Sequence, residues 1–310
     1  MTGYRVEVLS GPLLQLGEAP HWDVARQSLY YVCILSGSLH RYDIQENRTY
    51  SASIPGITHS SFIIPVKERP EEFVVGSRTR IILVKWDGVS ASAAELETLE
   101  DLGDTGEEQQ FNDGKADPQG RLYAGTMLSE TAPNPSGMGN SKLYRFDADT
   151  GKLVELKSGV HVSNGLAWHG TTNKFYYIDS FAFDIKEYDT DGQGNISNER
   201  VLIKLKSDES ATEFIADGMT SDTDGNLYVA VFAASMVLKV NPITAIVDQE
   251  IILPVAQVTS VAFGGPDLDI LFVTTAANEL AGPQLENAGA VFKITGLGVK
   301  GRPMNEVQLK

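Results

Sequence analysis

The sequence predicts an all-β fold, a six-bladed β-propeller occupying residues 1–310 as one domain. Three observations predict it. Six related segments follow one another, starting at Gly17, Ser61, Asn112, Asn164, Asp217 and Thr259. The interval from Glu18 to Asn112 is two repeat lengths, and the next intervals are 52 to Asn164, 53 to Asp217 and 43 to Ser260, a spacing that fits four-stranded blades. Within the segments, β-branched or aromatic runs follow Asp, Gly or Asn turns, and nothing reads as a long amphipathic helix.

The elements follow in order. The first unit, GEAPHWDVARQSLYYVCILSGSLHRYD, carries the strand Leu29-Tyr30-Tyr31-Val32, and the second carries Phe73-Val74-Val75. Between the second and third units, the acidic stretch from Ala91 to Leu102 is the best short helix candidate, but its place in an outer connection favours strand and loop. The third unit is NDGKADPQGRLYAGTM followed by KLYRFDADTGK, and the fourth contains Phe175-Tyr176-Tyr177-Ile178. Asp189-Thr190-Asp191-Gly192 opens like a calcium loop, yet Arg200 stands where its closing Glu belongs, so it reads as a turn between strands. The fifth unit holds Leu227-Tyr228-Val229-Ala230-Val231. The sixth joins TSVAFGGPDLDILFVTTA to AVFKITGLG. Its Gly296-Leu297-Gly298-Val299-Lys300-Gly301 spells a dinucleotide fingerprint, but too little chain follows, with Pro303 in it, to complete a strand-helix unit.

Composition narrows the function. A chain of 310 residues that is 42% hydrophobic can bury a sizeable core. Its net charge of −16 opposes binding to nucleic acid, which requires clustered cations. The N-terminus lacks a basic then apolar leader and no stretch is long and apolar enough to span a membrane, so a cytoplasmic protein without a membrane partner is expected, and a monomer. Cys33 is the lone cysteine, fits a reducing compartment, and reads as a buried structural thiol. No Gly-x-Ser-x-Gly elbow is present. The histidines lack zinc spacing; His21 and His169 lie near blade starts, where packing roles outweigh an auxiliary role at a site.

Blade starts supply the candidate site. Glu18, Asn112, Asn164 and Asp217 are each followed five residues on by Asp23, Asp117, His169 and Asp222. In a propeller the innermost strands begin around one end of the channel, so Glu18, Asn164 and Asp217 should converge there. Two carboxylates and an amide oxygen are hard donors that balance a divalent ion, which favours Ca2+, Mg2+ or Mn2+ and leaves Zn2+ open. The competing explanation is that these residues cap turns, because Asn-Gly and Asp-Gly are common turn dipeptides.

The motifs GEAPHWD, FNDGKADPQG, SNGLAW, YYIDS and ADGMTSDTDGNLYVA resemble those of the SMP-30/gluconolactonase/regucalcin family over essentially the whole chain. VTSVAFGGPDLD with GLGVKG is similar to its insect branch, which includes luciferin-regenerating enzyme. The resemblance implies one divalent metal, Ca2+ or Zn2+, held by Glu18, Asn164 and Asp217, with Asn112 and Glu130 contacting substrate. It also implies aldonolactones as the usual substrates.

Three positions depart from the family pattern. Gln110 stands where relatives commonly carry an Arg that holds sugar hydroxyls, Cys33 where they carry Asp, and Ala233-Ala234-Ser235 where they have a glycine-rich turn ending in a basic residue. The expected chemistry is metal-assisted hydrolysis of a small-molecule lactone or ester, with Asp217 as general base and Asp113 or Glu130 as alternatives. Two other readings stay open: a non-catalytic calcium-binding regulatory protein, and a hydrolase of a non-sugar substrate as in luciferin regeneration. The Pro/Gly stretch from Thr131 to Asn140 would make a lid over the channel.

Overall fold

The computed structural model describes residues 3–103, 109–129, 139–205, 215–279 and 284–310. They form six four-stranded antiparallel sheets. The innermost strands are Gly17–Asp23, Ile63–Pro65, Gln109–Ala116, Ser163–Trp168, Ile215–Ser221 and Val258–Gly264. In the first five blades chain order runs from the axis outward. In the sixth, the outermost strand is the N-terminal Arg5–Val8, paired with Phe292–Thr295, so the two ends of the chain close the ring in one sheet.

Each strand expected from its apolar run is present: Ser28–Cys33, Glu72–Ser77, Lys174–Asp179 and Leu227–Phe232 are the second strands of their blades. Their near-continuous burial matches the uninterrupted apolar runs, because a second strand packs both faces against neighbouring blades. The stretch weighed as a helix is strand Ala94–Asp101, an exposed outer edge whose acidic residues face solvent. Among the described residues the helical turns are Ile34–Ser36 and Ser180–Ala182, and no helix is long and apolar enough to cross a membrane.

The core is distributed between blades. One apolar cluster fills each interface: Tyr30, Phe73 and Trp86 between blades 1 and 2, Phe62 and Phe111 between 2 and 3, and Tyr123 and Phe175 between 3 and 4. Ile178 with Val229 joins 4 to 5, Tyr228 with Phe263 joins 5 to 6, and Trp22 with Phe272 closes 6 onto 1. Cys33 is buried in that last cluster, as expected of a structural thiol.

The aspartates five residues past the blade starts lie at the other end of the channel and hold turns. Asp117 Oδ1 accepts from the backbone N–H groups of Gln119 and Arg121, both at 2.9 Å, and Asp222 Oδ1 accepts from those of Asp224 and Asn226 at the same distance. His169 belongs to this end too, its Nδ1 accepting from the Thr171 N–H at 3.3 Å, far from the residues at the strand starts. Across the same end runs the C-terminal segment. Val307 bridges to Val66, Asn305 donates to the Ala116 carbonyl at 3.2 Å, and the Met304 sulfur accepts the Trp22 N–H at 3.3 Å. This segment makes one end of the channel a floor and leaves the other as the mouth.

Candidate metal centre and active site

The site is made by faults in the strands. Register shifts fall between Glu18 and His21, Phe111 and Gly114, Asn164 and Leu166, and Ala216 and Met219, so every candidate at a blade start lies in or beside a bulge. A bulge gives one strand an extra residue and re-aims its side chain, here toward the channel. The turn-cap explanation for Asn-Gly and Asp-Gly is therefore corrected: both dipeptides lie inside paired strands. Their glycines are required by close approach. A Cβ at Gly165 would sit 2.7 Å from the Asp217 carbonyl oxygen, and one at Gly218 would sit 1.9 Å from Ser260 Oγ. Removing both side chains lets neighbouring innermost strands approach far enough to bring their preceding residues together.

Glu18, Asp113 and Asp217 are all buried and share one electrostatic environment. Burial raises the Glu18 pKa well above the usual carboxylate range, and the charges of Asp217 and Asp113 raise it further, against a 3.0 Å hydrogen bond from the Ala19 N–H. Asp217 is raised by burial first and by Asp113 second. Burial takes Asp113 to about 6, while the Lys115 ammonium and a 2.8 Å bond from the Gly114 N–H hold it down. Such clustering is costly for bare carboxylates and is what a divalent cation neutralises.

Two amides complete the oxygen set. Asn164 Nδ2 donates to Ser180 Oγ at 2.8 Å, and Ser180 Oγ donates to the Ala216 carbonyl at 2.7 Å. This chain, anchored on the residue before Asp217, fixes the carboxamide so that Asn164 Oδ1 accepts from Asn112 Nδ2 at 3.0 Å. Asn112 Nδ2 also donates to the Ser163 carbonyl at 2.9 Å. The Asn164 oxygen keeps a second lone pair for a cation. Among the described residues no three His, Cys, Asp or Glu side chains make a metal-holding group by themselves; the expected set has two such carboxylates, and its third donor is this amide. The residues present thus fit a hard divalent ion in donor chemistry and charge.

Lys115 was not singled out by sequence. Its Nζ donates to the Met219 carbonyl at 2.6 Å, and burial lowers its pKa against the opposing pull of Asp113. The signal was available, because Lys115 lies two residues past Asp113 on the same strand. His21, pushed down to about 3 by burial and then by Lys115, is neutral and serves as packing. Beneath lies a cavity of about 10 Å³ lined by His21, Asp113, Lys115 and Met304 among others.

At the rim, Gln110 is buried and its Oε1 accepts a long hydrogen bond of 3.5 Å from Arg78 Nη1. Ala233 and Ser235, in the altered turn of blade 5, adopt φ of 64° and 57°. Glu130 and residues 131–138 of the expected lid lie outside the described residues.

Residues 16–277 match the family described as the SMP-30/Gluconolactonase/LRE-like region. Regucalcin of Danio rerio is 35% identical over 309 residues, and that of Gallus gallus 34% over 307, each alignment covering 98% of both chains. Among solved structures, a luciferin-regenerating enzyme superposes with a TM-score of 0.91 at 36% identity, covering 99% of this chain and 100% of the other.

Proposed function

The chain belongs to the SMP-30/gluconolactonase/LRE-like family, and from that premise we propose that it is a divalent-metal-dependent hydrolase of lactones. The observation that carries the proposal is the oxygen-only cradle at the channel mouth, in which Glu18 and Asp217 share one buried field with Asp113, and Asn164 is oriented through Ser180. Glu18, Asn164 and Asp217 would hold the ion. Ca2+ and Zn2+ are the first candidates, with Mn2+ and Mg2+ compatible with the same donors. When bound, the ion supplies Lewis-acid polarisation of the ester carbonyl and lowers the pKa of an attacking water.

The remaining tasks fall to the protein. Asp217 accepts the proton released as water attacks. A carboxylate beside a cation is a weak base, and the neighbouring charge of Asp113 offsets that by raising its proton affinity. Asn112, at the open end beside Asn164, orients the substrate, and Gln110 lines its path. Lys115 lies below and limits the net negative charge of the pocket.

The test is δ-gluconolactone hydrolysis by metal-stripped protein with Ca2+, Zn2+, Mn2+ and Mg2+ restored singly, using Asp217→Ala as control. Metal-restored turnover absent from the variant supports the proposal; turnover by the stripped protein refutes it. A second reading, a hydrolase acting on a non-sugar substrate, is favoured by Gln110 at the rim and by the likeness to luciferin-regenerating enzyme. A third, a calcium-binding protein without turnover, draws on the relatives named regucalcin. Metal binding without gluconolactone turnover selects between these two once a wider ester panel is assayed.

A further inference from the structure

Connections between second and third strands reach the mouth, and blade 2 contributes a tight one. Ser77 pairs with Arg80, leaving Arg78 and Thr79 at the tip, with Arg78 at φ 50°. The tip leans onto the next blade. The Arg78 carbonyl accepts the Phe111 N–H at 2.7 Å, and the guanidinium reaches Gln110 Oε1, so backbone and side chain both rest at the start of the strand that carries Asn112 and Asp113.

Arg78 is exposed, and it makes no ion pair among the described residues. Arg80, two positions on, is bound to Glu95 at 2.6 Å, so that acid is committed elsewhere. The hydrogen bond to Gln110 uses one N–H of a group that has five, in a fixed fork suited to a carboxylate. The mouth therefore has an axis of charge. Three carboxylates form its depth, where the cation is proposed, and a guanidinium with no ion pair among the described residues stands at its rim, about two strand positions above Asn112.

A substrate that complements this axis carries a carbonyl to present at depth and an anionic group to present at the rim. We propose that Arg78 is a specificity-determining residue that binds a carboxylate of the substrate, and that the substrate class is acid-bearing lactones or esters in preference to neutral ones. This rests on the site being hydrolytic, although the contact itself is one of binding and can be measured without turnover.

Two measurements on the full-length chain with Ca2+ test it. The first compares kcat/KM for a glucarolactone, which carries a free carboxylate, with that for the neutral δ-gluconolactone. The second compares calorimetric Kd values for glucarate, with a carboxylate at each end, and gluconate, with one. Wild type should favour the acid-bearing member of each pair by about tenfold, the scale of one charge-assisted bond. Arg78→Ala should abolish both preferences, through KM in the kinetic pair, Arg78→Lys should retain part of them, and Arg80→Ala should keep them whole. Preferences that survive in Arg78→Ala, or that are absent from wild type, overturn the proposal. Absence of hydrolysis in wild type and variants alike overturns the hydrolytic reading alone, and the glucarate-to-gluconate ratio then decides the role of Arg78.

Discussion

Replacing Asp113 by Asn should stabilise the metal-free protein at neutral pH, against the usual expectation for a change at a buried charged residue. Asp113 carries the cost of ionising in a buried site beside Glu18 and Asp217, and its pKa rises from 3.8 to about 6 even with Lys115 nearby. A raised carboxylate pKa means that the folded state holds the proton more tightly than the unfolded state does. Stability attributable to this group is then full below pH 3.8, falls as pH rises toward 6, and stays low at pH 7. The span from 3.8 to about 6 corresponds to about 3 kcal/mol, and the uncharged Asn avoids that penalty. For a chain of this size the gain is on the order of 5 °C in Tm. The assay is thermal unfolding of wild type and Asp113→Asn from pH 4 to 7.5, with chelator and with saturating Ca2+. The difference in Tm should open as pH rises through 4 to 6 and shrink when Ca2+ is present, because the ion offsets the same charge. A variant equal to or less stable than wild type at pH 7 in chelator would refute the electrostatic account of the cluster.

Other consequences are as direct. Asp217→Ala should abolish metal binding, read by calorimetry, together with any hydrolysis. Gly218→Ala should cost about 1–3 kcal/mol in denaturant unfolding, since its Cβ would fall 1.9 Å from Ser260 Oγ and 2.8 Å from Ser260 Cα, and the displaced strand should weaken metal binding as well. Val307→Ala should cost about 2 kcal/mol, because the fully buried side chain belongs to the cluster between blades 2 and 3 that the C-terminal segment caps. Cys33 should react with a thiol reagent only at the rate of unfolding, as expected for a thiol buried against Trp22 and Phe272.

The blades were legible because the repeat writes itself in apolar runs bounded by turn residues. Runs such as Leu29 to Val32 and Phe175 to Ile178 become second strands, where burial on both faces demands uninterrupted apolar side chains. Outer strands were harder. Ala94–Asp101 is acidic and exposed, so nothing in its composition separates an edge strand from a short helix, and only its pairing with Arg80–Lys85 decides. The closure of the ring by Arg5–Val8 was not readable at all, since it depends on a contact between segments nearly the full chain apart.

The site divides along the same line. Glu18, Asn164 and Asp217 could be chosen because each opens a repeat, and repeated position becomes spatial convergence in a closed ring. What sequence left ambiguous was why a glycine follows two of them. The turn explanation and the close-approach explanation predict the same dipeptides, and they separate only when Gly165 and Gly218 are seen against a backbone carbonyl and a serine side chain of the next blade. Lys115 and Arg78 escaped for a different reason. Their importance lies in what they face, Asp113 in one case and Gln110 at the rim in the other, and that relation belongs to the assembled blades. Position in a repeat thus identifies side chains that act together as ligands, whereas residues that tune their charge or select what reaches them come from neighbouring strands and turns with no repeat to mark them.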